Sequence, residues 1–123
     1  MASACHELIG LRYRLGADGS NGEIDCIHLV YEAQRIMGIK MPAFKPNWYT
    51  ASRREIARDL LQWGNRVDKP LYNGDVVLLP QTTIAFGVTW DKGILHISQQ
   101  RQAVHWCPTR LLTTSHCFRM KSS

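Results

Sequence analysis

Asn73-Gly74-Asp75-Val76-Val77-Leu78-Leu79 and Ala85-Phe86-Gly87-Val88-Thr89-Trp90-Asp91-Lys92-Gly93-Ile94-Leu95-His96-Ile97-Ser98 are the stretches whose reading decides the fold. Here the hydrophobic pattern takes a period of two, the alternation of a strand whose side chains point to opposite faces. Asp75 to Leu79, Ala85 to Trp90 and Ile94 to Ser98 read as strands, joined by turns at Pro80–Thr82 and Asp91–Gly93. Further along, Gln99–Gln102 is a turn, and Ala103 to Trp106 and Cys117 to Met120 continue the same reading. If Asp91-Lys92 is a two-residue turn, Trp90 pairs with Gly93, and counting outward sets Gly87 opposite His96. Ala85 and His96 then lie diagonally on one face.

Upstream of residue 73 the period lengthens. Ser3 to Arg14 reads as a short helix, followed by a loop holding Gly16, Gly19 and Gly22. Ile27, Leu29, Val30, Ala33, Ile36 and Met37 recur at helical spacing until Gly38 and Pro42, with Asp25 as the N-cap. After a connection from Ala43 to Tyr49 that contains Pro46 and Trp48, Ser52 and Glu55 form an S-x-x-E capping box. Ile56, Leu60 and Trp63 are the buried stripe of that third helix, which ends at Gly64. Helices first and strands afterwards imply an α+β fold, with N-terminal helices packed on an antiparallel β-sheet. Residues 1–123 are read as one domain, long enough to bury a core without staples.

Asp25-Cys26 at the start of the second helix carries the chemistry. Unpaired N–H groups and the positive end of the helix dipole stabilise a thiolate there, and the thiolate is the nucleophilic form of cysteine. The other reading of Cys26 is a small buried hydrophobe. Cys5, Cys26, Cys107 and Cys117 show no C-x-x-C pair and no short Cys/His cluster, so neither a zinc site nor a redox motif is expected, and no cofactor. The formal charge of +5 and a pI near 9.3 permit an anionic partner. The basic residues are scattered, with no aromatic interleaving, so no nucleic-acid platform is expected. No apolar run reaches the roughly 18 residues of a membrane span, and Met1 to Gly10 lacks the layout of a signal peptide.

Against this layout the chain resembles the NlpC-type cell-wall cysteine peptidases, a papain-like family, from Gly10 to about Trp106. Gly10-Leu11-Arg12-Tyr13-Arg14-Leu15-Gly16 is similar to the family's entry loop, and Asp25-Cys26-Ile27-His28-Leu29-Val30 to its nucleophile motif. Gly38-Ile39-Lys40-Met41-Pro42 resembles its helix exit; residues 73–79, 85–89 and 94–98 resemble its opening and two central strands. The long connection through Trp48-Tyr49 and the compact end are more like the small variants found in bacteriophage tail proteins than like secreted bacterial enzymes. The resemblance implies a papain-like fold, an endopeptidase acting on peptidoglycan stem peptides, phage tail proteins as partners, and a location in the virion or in the cytoplasm before delivery.

It also implies roles for residues. Cys26 is the nucleophile, and His96 falls on the polar position that orients the family's catalytic histidine. Tyr13 matches the tyrosine that packs near the thiol. Ile27-His28 stands where most members have Ser-Gly, and Ala85 stands at the catalytic histidine itself. Alanine can neither take the thiol proton nor protonate a leaving amine. Two functions therefore compete: a peptidase in which His96 or a neighbour handles the proton, and a catalytically inactive relative that binds wall peptide or builds a tail. The remaining histidines have ordinary readings. His28, two positions after Cys26 and about 200° around the helix, is expected to point away from the thiol. His6 reads as a half-buried or surface residue, His105 as a cross-strand partner of His96, and His116 as a residue near the end.

Overall fold

A computed structural model describes residues 2–39, 48, 50–68, 72–79, 85–98, 100–111 and 116–120. The connection expected around Pro46 and Tyr49, the turn at Pro80–Thr82, and the side chains of Trp63, Ala85 and His116 lie outside the described parts. The architecture is a single curled, mixed sheet of eight strands forming a half-barrel, with two short helices. This corrects the expected papain-like NlpC-type arrangement of N-terminal helices packed on an antiparallel sheet.

The strands are β1 (Arg12–Tyr13), β2 (Glu23–Ile24), β3 (Gly64–Val67), β4 (Val76–Leu79), β5 (Ala85–Trp90), β6 (Gly93–Ser98), β7 (Ala103–Pro108) and β8 (His116–Met120). Their order across the sheet is β2-β1-β7-β6-β5-β4-β8-β3. The β1–β2 pair is parallel and the other ladders are antiparallel. Two helices of eleven residues accompany them, α1 (Cys26–Ile36) and α2 (Arg53–Trp63). No helix among the described residues is long and apolar enough to cross a membrane.

The helix expected over Ser3 to Arg14 is instead a 3-10 helix, Ala2–Leu8, that stops before a strand. Gly10 at φ +95° turns the chain out of the helix. The Gly10 N–H then bonds to the Val104 carbonyl, Val104 N–H to Leu11, and Tyr13 N–H to Gln102. Backbone groups satisfied across the sheet are no longer available for a helix. At the other edge, α2 ends on Gly64 with fully extended backbone, φ −154° and ψ −167°, and the chain runs straight on into β3. Asn65 and Arg66 on that strand are exposed, so no alternation announced it.

The central hairpin matches its sequence reading. Asp91 and Lys92 both have positive φ, 51° and 64°, as a two-residue type I′ turn requires, and Gly87 pairs with His96. Phe86, Val88 and Leu95 face the helices and join Leu29, Val30 and Ala33 of α1 with Ile56 and Leu60 of α2 in the main core. Trp48 bridges these layers. Its ring stacks on Phe86 at 5.3 Å and 7°, meets Tyr31 of α1 edge-on at 6.5 Å, and its Nε1–H donates to Asp59 of α2 at 2.9 Å. Val77, Leu79, Ile94 and Cys117 form a smaller cluster on the opposite face.

Candidate functional site

Asp25 organises the start of α1. Its extended backbone (φ −104°, ψ 175°) and buried carboxylate make it the N-cap, with Oδ1 accepting the His28 N–H at 2.8 Å. The second oxygen, Oδ2, accepts the Gly16 N–H at 2.8 Å, while the Asp25 N–H donates to the Ala17 carbonyl at 3.1 Å. The glycine-rich loop is thereby tied to the helix start. Gly16, at φ +85°, holds a left-handed conformation that a side chain would strain.

Cys26 follows directly and is half-buried at the first position of α1. Backbone N–H groups of Phe86, Cys26 and Ile27 act on its sulfur, each favouring the thiolate. Burial outweighs them and Asp25 adds to it, so the thiol is pushed above its ordinary range. This reverses the expectation that the helix start lowers it, because desolvation disfavours the charged form more than three amides restore it. Tyr13 on β1 belongs to the same microenvironment. Burial raises its hydroxyl first, with the charges of Cys26 and Asp25 adding to the effect.

His96 lies elsewhere. It sits opposite Gly87, whereas the helix-facing residues of those strands are Phe86, Val88 and Leu95, so its imidazole is on the face away from α1. It is 9% exposed, and neither ring nitrogen has a hydrogen-bond partner among the described residues. His105 lies edge-on to it, with centroids 5.9 Å apart at 77°. Burial and then the neighbouring His105 push the His96 imidazole below the ordinary histidine range. No hydrogen bond or charge interaction joins Cys26 to His96 among the described residues. Ala85 opens β5 opposite Leu79, and its backbone is joined directly to the Phe86 N–H that acts on the Cys26 sulfur.

Sequence reasoning missed His28. Its ring folds back along α1 so that Nδ1 stands 3.0 Å from Asp25 Oδ1, beside the residue that precedes the thiol. The signal was present in the sequence as an N-cap aspartate three positions before a histidine. His6 packs edge-on against Trp90 at 4.7 Å, and His105 Nδ1 lies 3.4 Å from Arg101 Nη1.

An open cleft of about 720 Å³ runs along the outer side of α1, lined by Glu7, Leu8, Asp18, Glu32 and Ile36 among others. Cys26 does not line it. Among the described residues no three His, Cys, Asp or Glu side chains gather as a metal site. Neither a protein-family model nor a curated protein matches the chain.

Proposed function

We propose that the protein is a thiol-dependent peptide hydrolase with Cys26 as its nucleophile, acting on peptidoglycan stem peptides. The observation that carries this reading is the position of Cys26, half-buried at the first residue of α1, directly after the Asp25 cap that ties the glycine-rich loop to the helix start. N–H groups of a helix's first turn stabilise negative charge without reorganising, on a thiolate or on the oxyanion of a tetrahedral intermediate. The thiol gives up its proton, sulfur bonds to the peptide carbonyl carbon, and the amine leaves with a proton. Water then releases the acyl group. The stem peptide, and a place in a phage tail, rest on the sequence likeness to cell-wall peptidases of that type. The +5 charge suits an anionic wall polymer.

A second reading is favoured by one specific observation: among the described residues no imidazole acts on the Cys26 sulfur, and burial pushes the thiol up. On that reading the chain grips wall peptide without cutting it. Incubating the protein with purified stem peptides from pH 7 to 9 and following products by mass spectrometry separates the two. Slow cleavage that rises with pH and vanishes in Cys26→Ala is expected for the hydrolase. Absence of cleavage together with salt-sensitive retention on sacculi would establish the binding role instead.

A further inference from the structure

We propose that the outer face of α2, together with Arg66 of β3, docks a phosphodiester polymer without bases, of the polyol-phosphate kind. The inference takes the anionic partner of the reading above and gives it a place; it does not depend on Cys26 as a nucleophile. In the sequence the basic residues are scattered, but the helix gathers two of them. At about 100° per residue, Arg54, Arg58 and Leu61 fall within about 60° of one another, on the side opposite the buried Ile56 and Leu60. Arg54, Arg58, Leu61 and Gln62 are all exposed. Arg66 is exposed as well, and its pairing with Phe118 of the main core puts it on the face of the sheet that carries α2.

Taken alone, this arrangement works against the helix. Arg54 stands in the first turn, at the end of the dipole that disfavours cations. Arg58 follows one turn later, roughly 5–6 Å away between Cβ atoms, a spacing at which like charges repel. Among the described residues no carboxylate pairs with Arg54, Arg58 or Arg66. The two acids of α2 lie to one flank and are engaged: Glu55 closes the capping box with Ser52, and Asp59 accepts the Trp48 indole N–H. An anion laid along the face removes the repulsion, and the planar arginine fork matches a phosphate with paired hydrogen bonds. The rest of the face selects among anions. Among its described residues Leu61 is the one exposed large hydrophobe, too little for the apolar core of a protein interface. Gln62 and Asn65 beside the arginines offer no ring on which a base stacks. A linear phosphate chain needs neither.

The experiment measures binding of the full chain to purified poly(glycerol phosphate) by calorimetry at low and moderate salt. Arg54→Gln/Arg58→Gln keeps helix propensity and relieves the repulsion, so its melting temperature should equal or exceed that of the parent. Its affinity should fall by about 2- to 30-fold at low salt, and the slope of log affinity against log salt should become shallower by roughly 0.7–1 for each arginine removed. Arg12→Gln/Arg110→Gln removes the same charge from exposed positions on other elements and should bind within about twofold of the parent. An equal loss in that control means attraction by net charge alone and overturns the proposal. Tighter binding of a single-stranded oligonucleotide or of phosphatidylglycerol vesicles than of the polymer overturns it too, as does a parent chain that binds no polymer at low salt. Loss of polymer binding with stem-peptide cleavage intact removes this inference alone; absence of cleavage with polymer binding intact removes the hydrolase reading alone.

Discussion

The backbone N–H of Phe86 acts on the sulfur of Cys26, joining the first residue of α1 to the second residue of β5. Phe86 is itself immobilised by the Trp48 stack on its ring, so the donor is held by the core and not by a loop. The helix start alone therefore does not make the environment of Cys26; β5 contributes to it.

Thiol labelling should reflect that environment. Cys5 is fully buried, and burial pushes the Cys117 thiol up to about 12, so both should resist iodoacetamide in the native state. Cys26 and Cys107 are half-buried and should label. Because the Cys26 thiol is raised, its alkylation rate should still be climbing at pH 9, above the ordinary value of about 8.5. A Cys26 rate that levels off below pH 8 would contradict the burial argument.

Acid should destabilise the fold through His96. Its folded-state value is depressed below the ordinary ~6.5, so the unfolded chain binds the proton more readily. The contribution of neutral His96 is complete above ~6.5 and is lost as pH falls from there through the depressed folded value. Groups facing it include His105 across the strand pair and, through His105, Arg101, both of which resist a further positive charge. Urea unfolding at pH 7.5 and pH 5 should show a loss of stability on acidification that is reduced in His96→Leu. An equal loss in both chains would place the acid-sensitive group elsewhere.

What could be read from the sequence was what short-range patterns encode. The Asp25 and Ser52 caps, the Asp91-Lys92 turn and the pairing of Gly87 with His96 follow from local chemistry and strand parity. What escaped was everything set at long range. The two-residue strands β1 and β2 are too short to show a period, and β3 has no apolar alternation. These three strands turn an expected helix-covered antiparallel sheet into a mixed half-barrel. Gly93 illustrates the same limit. Read as a turn residue, it also lies under the Trp106 indole, whose atoms a Cβ would meet at 2.2 Å.

The Asp75–Arg119 pair ties β8 to the start of β4 and should be measurable as stability. Arg119 donates from Nε and Nη2 to the two oxygens of Asp75 at 3.1 and 3.0 Å, and its guanidinium lies 4.3 Å from the Tyr72 ring centroid. Asp75 is buried, whereas the Arg119 side chain is 37% exposed, so solvent screens part of the attraction. Arg119→Met should lower the urea midpoint, by less than the loss of a fully buried pair would. A variant as stable as the parent would mean that Asp75 does not depend on the guanidinium, the Tyr72 N–H bond being among those that remain.

Position 85 tests where a base would have to enter. It is two residues before Gly87, which pairs with His96, so strand parity puts positions 85 and 96 on one face of the sheet, the face away from α1. General acid–base catalysis contributes about 100- to 10,000-fold only where the base reaches the reacting group. Stem-peptide cleavage by Ala85→His should therefore stay close to the parent rate. A gain of ~100-fold or more that adding Cys26→Ala abolishes would show that the strand end turns position 85 toward the thiol.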